Sequence, residues 1–208
     1  MMSRLAKVIA ATSLGVVVLA GCSSTGDSTG ASNSAPASGS VATSPANASL
    51  ATASFDELKA ADAREVIDAL EAVPLSQRRS DLRASVKSKE LTLTDTSNNS
   101  ATLTMPADAF YLSVAPYVSQ THSCTYHSLT TCKAELGDKT LHVKLVTDSG
   151  ATVMDQDVTA ANDGFVGLWL PRDITGTLTF DYGGKTASTD ISTVDDDDPT
   201  CLTTMQLS

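Results

Sequence analysis

A low-complexity tract near the start of the chain decides how much of the sequence can fold. Residues 23–53 are nearly all Ser, Ala, Thr, Gly and Asn, interrupted by Pro36 and Pro45. Such a tract has too little apolar mass to offset the conformational entropy lost on ordering, so we expect a disordered linker at residues 22–53. The folded part is therefore expected to begin near residue 54 and to form one domain, or one domain with a small appendage.

The residues before this tract have the features of an export signal. Two basic residues precede an apolar run from Val8 to Ala20 that is too short to span a bilayer. The run ends in Leu-Ala-Gly-Cys at residues 19–22, which resembles the bacterial lipoprotein cleavage box. We expect residues 1–21 to be a lipoprotein signal peptide. Cys22 would then be the lipid-modified first residue of a protein held at the outer face of the cytoplasmic membrane or in the periplasm. The alternative is an ordinary signal peptide followed by an incidental cysteine.

Apolar residues at helical spacing open the folded part. Ser54 and Glu57 fit a capping box, and apolar positions over residues 55–73 recur with the period of a helix. We predict this helix and a second, shorter one over residues 75–89, which together make a helical N-terminal segment at residues 54–90. The exposed apolar stripe of the first helix is a candidate surface for a homodimer.

From residue 91 onward the pattern changes to that of short strands. Segments that alternate apolar and polar residues flank turns at residues 98–99, 148–150 and 183–184, and each arrangement predicts a β-hairpin. Further strands are predicted over residues 110–118, 164–170 and 202–207. The fold class is therefore predicted as α+β, with a mainly antiparallel β-sandwich-like C-terminal domain at residues 91–208 and a small helical N-terminal segment.

Charge and motif content exclude several functions. The formal net charge is −10, whereas nucleic-acid binding needs clustered Lys and Arg. The sequence contains neither a nucleophile–base pair nor a glycine-rich phosphate loop. We therefore expect no nucleic acid as partner, and neither a hydrolase nor a nucleotide-dependent enzyme.

Reactive side chains are concentrated in residues 121–132, Thr-His-Ser-Cys-Thr-Tyr-His-Ser-Leu-Thr-Thr-Cys. This segment holds two of the four cysteines and two of the three histidines. If lipidation uses Cys22, the cysteines that remain are Cys124, Cys132 and Cys201. An odd number of thiols is unusual in an exported protein that needs only a structural disulfide.

Soft thiolate ligands predict a metal site that favours Cu(I) or Zn(II) over hard ions. Three thiolates, or two thiolates and one imidazole, suit the low coordination number of Cu(I). Zn(II) prefers four ligands, which His127 or His122 could complete, and we expect it less than copper. The alternative is a loop disulfide between Cys124 and Cys132 with Cys201 buried and unused. His142 lies in an alternating strand and is predicted to be a surface or hydrogen-bonded histidine.

Four blocks of the sequence carry a family resemblance. They are Phe-Tyr-Leu-Ser-Val-Ala-Pro-Tyr-Val at 110–118, Gln-Thr-His-Ser-Cys-Thr-Tyr-His-Ser-Leu-Thr-Thr-Cys at 120–132, Gly-Phe-Val-Gly-Leu-Trp-Leu-Pro-Arg at 164–172 and Asp-Asp-Pro-Thr-Cys at 197–201. In this order the blocks resemble the signature of the CueP family of extracytoplasmic copper-binding proteins. The resemblance covers the chain from about residue 54 to the C terminus.

The resemblance implies that Cys124, Cys132 and Cys201 are copper-site residues, beside which His127 is the leading further ligand and His122 a second candidate. It also implies a role in copper tolerance and in copper delivery outside the cytoplasm, with a secreted copper-dependent enzyme as a candidate acceptor. Some family members are freely soluble periplasmic proteins, whereas the lipoprotein signal found here favours capture of copper at the membrane face.

Three functions remain open on the sequence alone. The first is a protein that sequesters Cu(I) and passes it on, contributing to copper resistance and homeostasis. The second is a thiol redox protein that reduces Cu(II) to Cu(I), which would be an enzyme-like activity. The third is a structural cell-surface lipoprotein whose disulfide staples loops together.

Overall fold

The computed structural model describes residues 45–208 of the 208-residue chain. The predicted signal peptide, Cys22 and most of the predicted linker lie outside the described residues. Within the described part, no helix is both long enough and apolar enough to cross a membrane. The last residues of the predicted linker form a helix, α1 (Pro45–Ala51), and are therefore not disordered as expected. Leu50 packs against the core beneath this helix, and such burial offsets the cost of ordering the backbone.

Two short helices replace the single helix predicted over residues 55–73. They are α2 (Phe55–Leu58) and α3 (Ala63–Glu71), and Ser54 begins the first of them with the predicted capping box. Asp62 divides the two helices because its carboxylate accepts hydrogen bonds from the next backbone N–H groups and so starts a new helix.

The apolar stripe of α3 is buried within the chain itself. Val66, Ile67 and Leu70 are at most 2% exposed and belong to one cluster with Leu91 and Leu93. The surface that the sequence offered for self-association is therefore already covered. Formation of a homodimer stays a prediction without an assigned surface.

The prediction of a second helix over residues 75–89 is wrong. Only a single 3₁₀ turn forms there, Leu75–Gln77, and it is followed by strand β1, Leu82–Val86. Side chains of β1 point alternately into the core and outward, and the strand has hydrogen-bonded neighbours on both sides. Strand pairing therefore overrides the weak helix preference of this segment.

The remaining strands follow the predicted order along the chain, except that β5 was not predicted. They are β2 (Glu90–Asp95), β3 (Ser100–Thr104), β4 (Ala109–Val114), β5 (His127–Ser128), β6 (Thr140–Thr147), β7 (Thr152–Thr159), β8 (Val166–Pro171), β9 (Thr175–Tyr182), β10 (Lys185–Ser192) and β11 (Cys201–Leu202). Two of them are shorter than expected, because β4 stops two residues before Pro116 and β11 holds only two residues.

The three predicted hairpins are confirmed as the antiparallel pairs β2–β3, β6–β7 and β9–β10. Local turn chemistry explains why they could be predicted. Asn98 between β2 and β3 has a φ of 62°, and both Gly183 and Gly184 between β9 and β10 have positive φ, which is the backbone that such tight turns require.

Strands form three sheets, in the orders β3-β2-β1-β5, β10-β9-β6-β7 and β11-β4-β8. The second and third sheets share one apolar core, as in a sandwich. The first sheet packs against the helices over a second core. All strand pairs are antiparallel except β4 and β11, so the predicted α+β class with mainly antiparallel strands is confirmed.

The first and third sheets meet at their short edge strands. β5 pairs with β1, and β11 pairs with β4. Thr200 joins them, because its hydroxyl donates to the carbonyl of Val86 and accepts from the backbone N–H of His127 at 3.2 Å. This junction brings residues 124–132 against Cys201, although about seventy residues of chain separate them.

Candidate metal centre

Three cysteines converge at the junction of the two edge strands. Cys124 and Cys201 form a disulfide bond, and among the described residues Cys132 is a free cysteine. The sulfur atoms of Cys132 and Cys124 are 3.7 Å apart. The expected alternative, a Cys124–Cys132 disulfide with Cys201 unused, is therefore wrong in its pairing. Cys201 takes part because the parallel pairing of β11 with β4 carries it to the loop.

Backbone hydrogen bonds hold the free thiol in place. A turn follows β5, in which the backbone N–H of Cys132 donates to the carbonyl of Ser128 at 3.1 Å. In return, the N–H of Ser128 points at the sulfur of Cys132 from 3.4 Å. These two contacts fix the position of the Cys132 sulfur relative to β5.

The two histidines of the predicted site differ in burial. His127 is fully buried, and its Nδ1 lies 3.8 Å from the sulfur of Cys201. His122 is exposed. The ring of Phe165, also fully buried, lies near both, with its centroid 4.7 Å from that of His127 and 6.1 Å from that of His122.

Two of the three groups of potential ligand atoms found among the described residues contain cysteine sulfur, and the third consists of Glu71, His127 and Asp163. In the outer group, His122, Cys124 and Cys132 have their ligand atoms within 4.8 Å of one another, and in the inner group the same is true of His127, Cys132 and Cys201. Cys132 belongs to both groups. All five candidate ligands predicted for the folded part are thus brought together.

A buried cluster of charged groups lies at the Nε2 side of His127. The sequence analysis did not predict this cluster. Oε1 of Glu71 is 2.7 Å from His127 Nε2 and accepts a hydrogen bond from the Tyr111 hydroxyl, also at 2.7 Å. The contact with His127 is not aligned with a ring N–H, so it acts as an ion pair rather than a linear hydrogen bond. Arg78 donates to Asp163 and to the carbonyl of Cys132. The cluster therefore connects α3 with both the cysteine loop and the sandwich.

One sequence signal could have identified Glu71. It lies four residues after Ile67, on the apolar stripe of α3, where a charged residue needs a buried partner. Its partners could not have been identified in the same way, because they come from segments far apart in the sequence.

The charges in this cluster shift the pKa values of its members. Burial alone would lower the pKa of His127, but the Glu71 carboxylate and the adjacent Cys132 raise it to about 9. Burial would raise the pKa of Glu71, but the positive charge of His127, the hydrogen bond from Tyr111 and the positive charge of Arg78 together outweigh burial and lower that pKa. Burial and the nearby Glu71 charge raise the pKa of Asp163 to about 6. In the metal-free protein at neutral pH, His127 and Glu71 thus form an imidazolium–carboxylate pair.

The surroundings of His127 are those of a metal-ligating histidine whose second ring nitrogen contacts a carboxylate. A carboxylate holds one ring nitrogen while the other faces the ligand cluster, an arrangement that fixes the orientation of the ring. A metal ion that binds Nδ1 must displace the proton from that nitrogen, so the metal competes with this proton.

His142 lies outside the centre, as predicted. Its two ring nitrogens are each 2.9 Å from a carboxylate oxygen, of Asp155 on one side and Asp157 on the other. These hydrogen bonds raise its pKa on an exposed face of the sheet. His142 thus provides a matched control histidine for experiments on His122 and His127.

A cluster of three cysteines and two histidines on a β-rich scaffold has the donor chemistry that soft metal ions prefer. The chain belongs to the family of the periplasmic copper-binding protein CueP, whose sequence model matches residues 65–206. It is also similar to a solved structure described as "Crystal Structure of S.CueP", with 37% sequence identity. That match covers 79% of this chain and 98% of the other, with a TM-score of 0.68. None of the curated proteins matches the chain.

Proposed function

We propose that this protein binds Cu(I) outside the cytoplasm through Cys124, Cys132 and Cys201, with His127 as the fourth contact. The observation that carries the proposal is the convergence of three sulfur atoms and a buried imidazole at one point. Membership of a family of periplasmic copper-binding proteins supports copper as the metal. The protein would sequester Cu(I) and pass it to a secreted copper-dependent enzyme, which would contribute to copper resistance and homeostasis.

The donor set supports Cu(I) over the other candidates. Thiolates are soft ligands, and the apolar side chains of Phe165 and Ala115 that pack against Cys132 and Cys201 disfavour a hydrated, harder ion such as Cu(II). Zn(II) would need a tetrahedral set of four protein ligands if the site were structural. Such a set would need a histidine in addition to the three thiolates, whereas three thiolates alone satisfy Cu(I).

The Cys124–Cys201 disulfide makes copper binding dependent on reduction. The disulfide withdraws one sulfur from each group of ligands and leaves only Cys132 as a thiol. Reduction by two electrons and two protons restores both thiols. The oxidised protein therefore cannot hold Cu(I) tightly.

We expect the reduced protein to bind one Cu(I) and the oxidised protein to bind at least about 100-fold more weakly, because the disulfide removes two of three thiolates. The full chain carrying Cys22→Ser excludes the fourth thiol. Competition against a chromophoric Cu(I) chelator without oxygen gives both affinities, and His142→Ala serves as the control for nonspecific binding. Equal affinities of the oxidised and reduced forms would contradict the proposal.

Reduction of Cu(II) is a second candidate function, favoured by the same disulfide. Oxidation of the Cys124 and Cys201 thiols would release two electrons and two protons and form the S–S bond, while two Cu(II) ions become two Cu(I) ions. Cys132 stays available to hold one product ion. Thiol counting checks this: addition of two equivalents of Cu(II) should lower the number of free thiols in the Cys22→Ser chain from three to one. An unchanged count would exclude the reaction.

We also propose that lipid attached to Cys22 holds the protein at the membrane. The cleavage box and the low-complexity tract after it support this proposal. The roughly twenty residues between Cys22 and α1 would reach roughly 25 Å as a flexible coil, enough to keep the folded part clear of a crowded surface. Mass spectrometry of the mature N terminus is the test, and an unmodified N terminus would contradict the anchor.

A further inference from the structure

The candidate ligands differ sharply in their access to solvent. His122 is exposed and Cys124 is partly buried, whereas Cys201 is 2% exposed and His127 is fully buried. Cys132, at 8%, lies between these extremes. A copper ion that arrives from solvent, or on a donor molecule, meets the outer ligands first.

The inner ligands cannot be the first contact. Around Cys201 and His127 the packing is dense, since Phe165 covers one side of the imidazole and Glu71 occupies the other. A donor molecule cannot place its own ligands beside these atoms. Transfer of Cu(I) proceeds by ligand exchange, in which a new protein ligand binds before the last donor ligand leaves, so at least one accessible ligand is needed.

We propose that His122 is an entry ligand: Cu(I) first binds His122, Cys124 and Cys132, and then moves inward as Cys201 and His127 replace His122. This inference rests on the proposed Cu(I) function and adds a transient position to it. Cys132 stays bound throughout because it belongs to both ligand groups. Release to an acceptor follows the same steps in reverse.

The exchange balances without any redox step. The bond from copper to the His122 nitrogen breaks, and bonds from copper to the Cys201 sulfur and to Nδ1 of His127 form. Cys201 gives up its thiol proton and His127 its Nδ1 proton, both to solvent, and copper remains Cu(I). The two ligand groups share Cys132, whose sulfur lies 3.7 Å from that of Cys124. The ligand atoms of each group lie within 4.8 Å of one another, so the ion moves by only a few ångströms between the two positions.

An entry ligand changes rates without changing the final equilibrium. In the reduced Cys22→Ser chain, His122→Ala should slow both the uptake of Cu(I) from a chromophoric chelator and its return by about tenfold or more, with a dissociation constant within about threefold of the parent. Cys201→Ser should give the reverse pattern: uptake as fast as in the parent, and binding at least about tenfold weaker, because the ion stops at the outer group. Stopped-flow absorbance gives the rates, and His142→Ala should match the parent.

Two results would overturn the inference while leaving copper binding itself intact. One is an unchanged uptake rate in His122→Ala. The other is a dissociation constant weakened well beyond about threefold in that variant, which would make His122 a ligand of the final site. If the parent chain binds no Cu(I) at equilibrium, the proposed function fails and the entry role fails with it.

Discussion

Replacing Glu71 with Ala is expected to lower the free energy of unfolding by about 3–5 kcal/mol, since it leaves the buried imidazolium of His127 without its counter-charge. Glu71 and His127 are 8% and 0% exposed, so water does not compensate the loss. The Tyr111 hydroxyl also loses its acceptor. Chemical denaturation of the oxidised protein measures the effect while the disulfide is kept constant.

Matched variants separate charge from shape. Glu71→Gln keeps the size and an acceptor for Tyr111 but removes the charge, so its loss should be smaller than that of Glu71→Ala. Glu65→Ala changes an exposed glutamate on the same helix and should cost under about 1 kcal/mol. A Glu71→Ala protein as stable as Glu65→Ala would contradict the buried ion pair.

The same pair predicts how stability depends on pH. The pKa of His127 is raised from 6.5 to about 9 in the folded protein. Its stabilising contribution is therefore complete below the unfolded value of 6.5 and is lost as pH rises through 9. The lowered pKa of Glu71 affects stability at acidic pH instead. The contribution of Glu71 to the free energy of unfolding is lost as pH falls below the usual value of 4.5 and through its lowered pKa in the folded protein. In Glu71→Gln, the loss of stability between pH 7 and pH 10 should be smaller than in the parent.

Local sequence signals predicted part of this fold well. The hairpins were predictable because residues such as Asn98 and Gly183-Gly184 determine turn geometry within a few positions. Residues 82–86 were assigned to a helix because nothing local shows that β1 has a partner on each side. The pairing of β11 with β4 is likewise a long-range contact of two residues, too short to leave a pattern.

The candidate site shows the same division between local and long-range information. The unusual density of Cys and His in residues 121–132 located the centre, because these residue types are rare elsewhere in the chain. Which cysteines form a bond was not predictable, since it depends on where β11 brings Cys201. The charged groups that surround His127 were not predictable either, because Glu71 and Asp163 are more than ninety residues apart in sequence.

Replacing Cys132 with Ser is expected to lower the Cu(I) affinity of the reduced protein by more than about 100-fold, exceeding the 10–100-fold typical of losing an outer-shell partner. Cys132 belongs to both ligand groups, and a hydroxyl is a hard, protonated donor that Cu(I) does not favour. Chelator competition measures the change.

The fold should survive this substitution. Cys132 takes no part in the disulfide, and a serine oxygen can still accept from the N–H of Ser128. The oxidised Cys132→Ser protein should therefore melt within a few degrees of the parent, as expected for a loss of about 1 kcal/mol or less. Weak copper binding together with a parental melting temperature would locate the effect in the ligand itself. Affinity equal to that of the parent would remove Cys132 from the site.

The central claim is that sulfur atoms of the cysteine cluster bind the copper ion. X-ray absorption at the copper K edge, recorded on the reduced Cys22→Ser chain loaded with one Cu(I), tests it most directly because it identifies the atoms bonded to copper. We predict a first shell dominated by sulfur, with an added imidazole nitrogen, that loses one sulfur in Cys132→Ser. A first shell of nitrogen and oxygen alone, unchanged by that substitution, would contradict the claim.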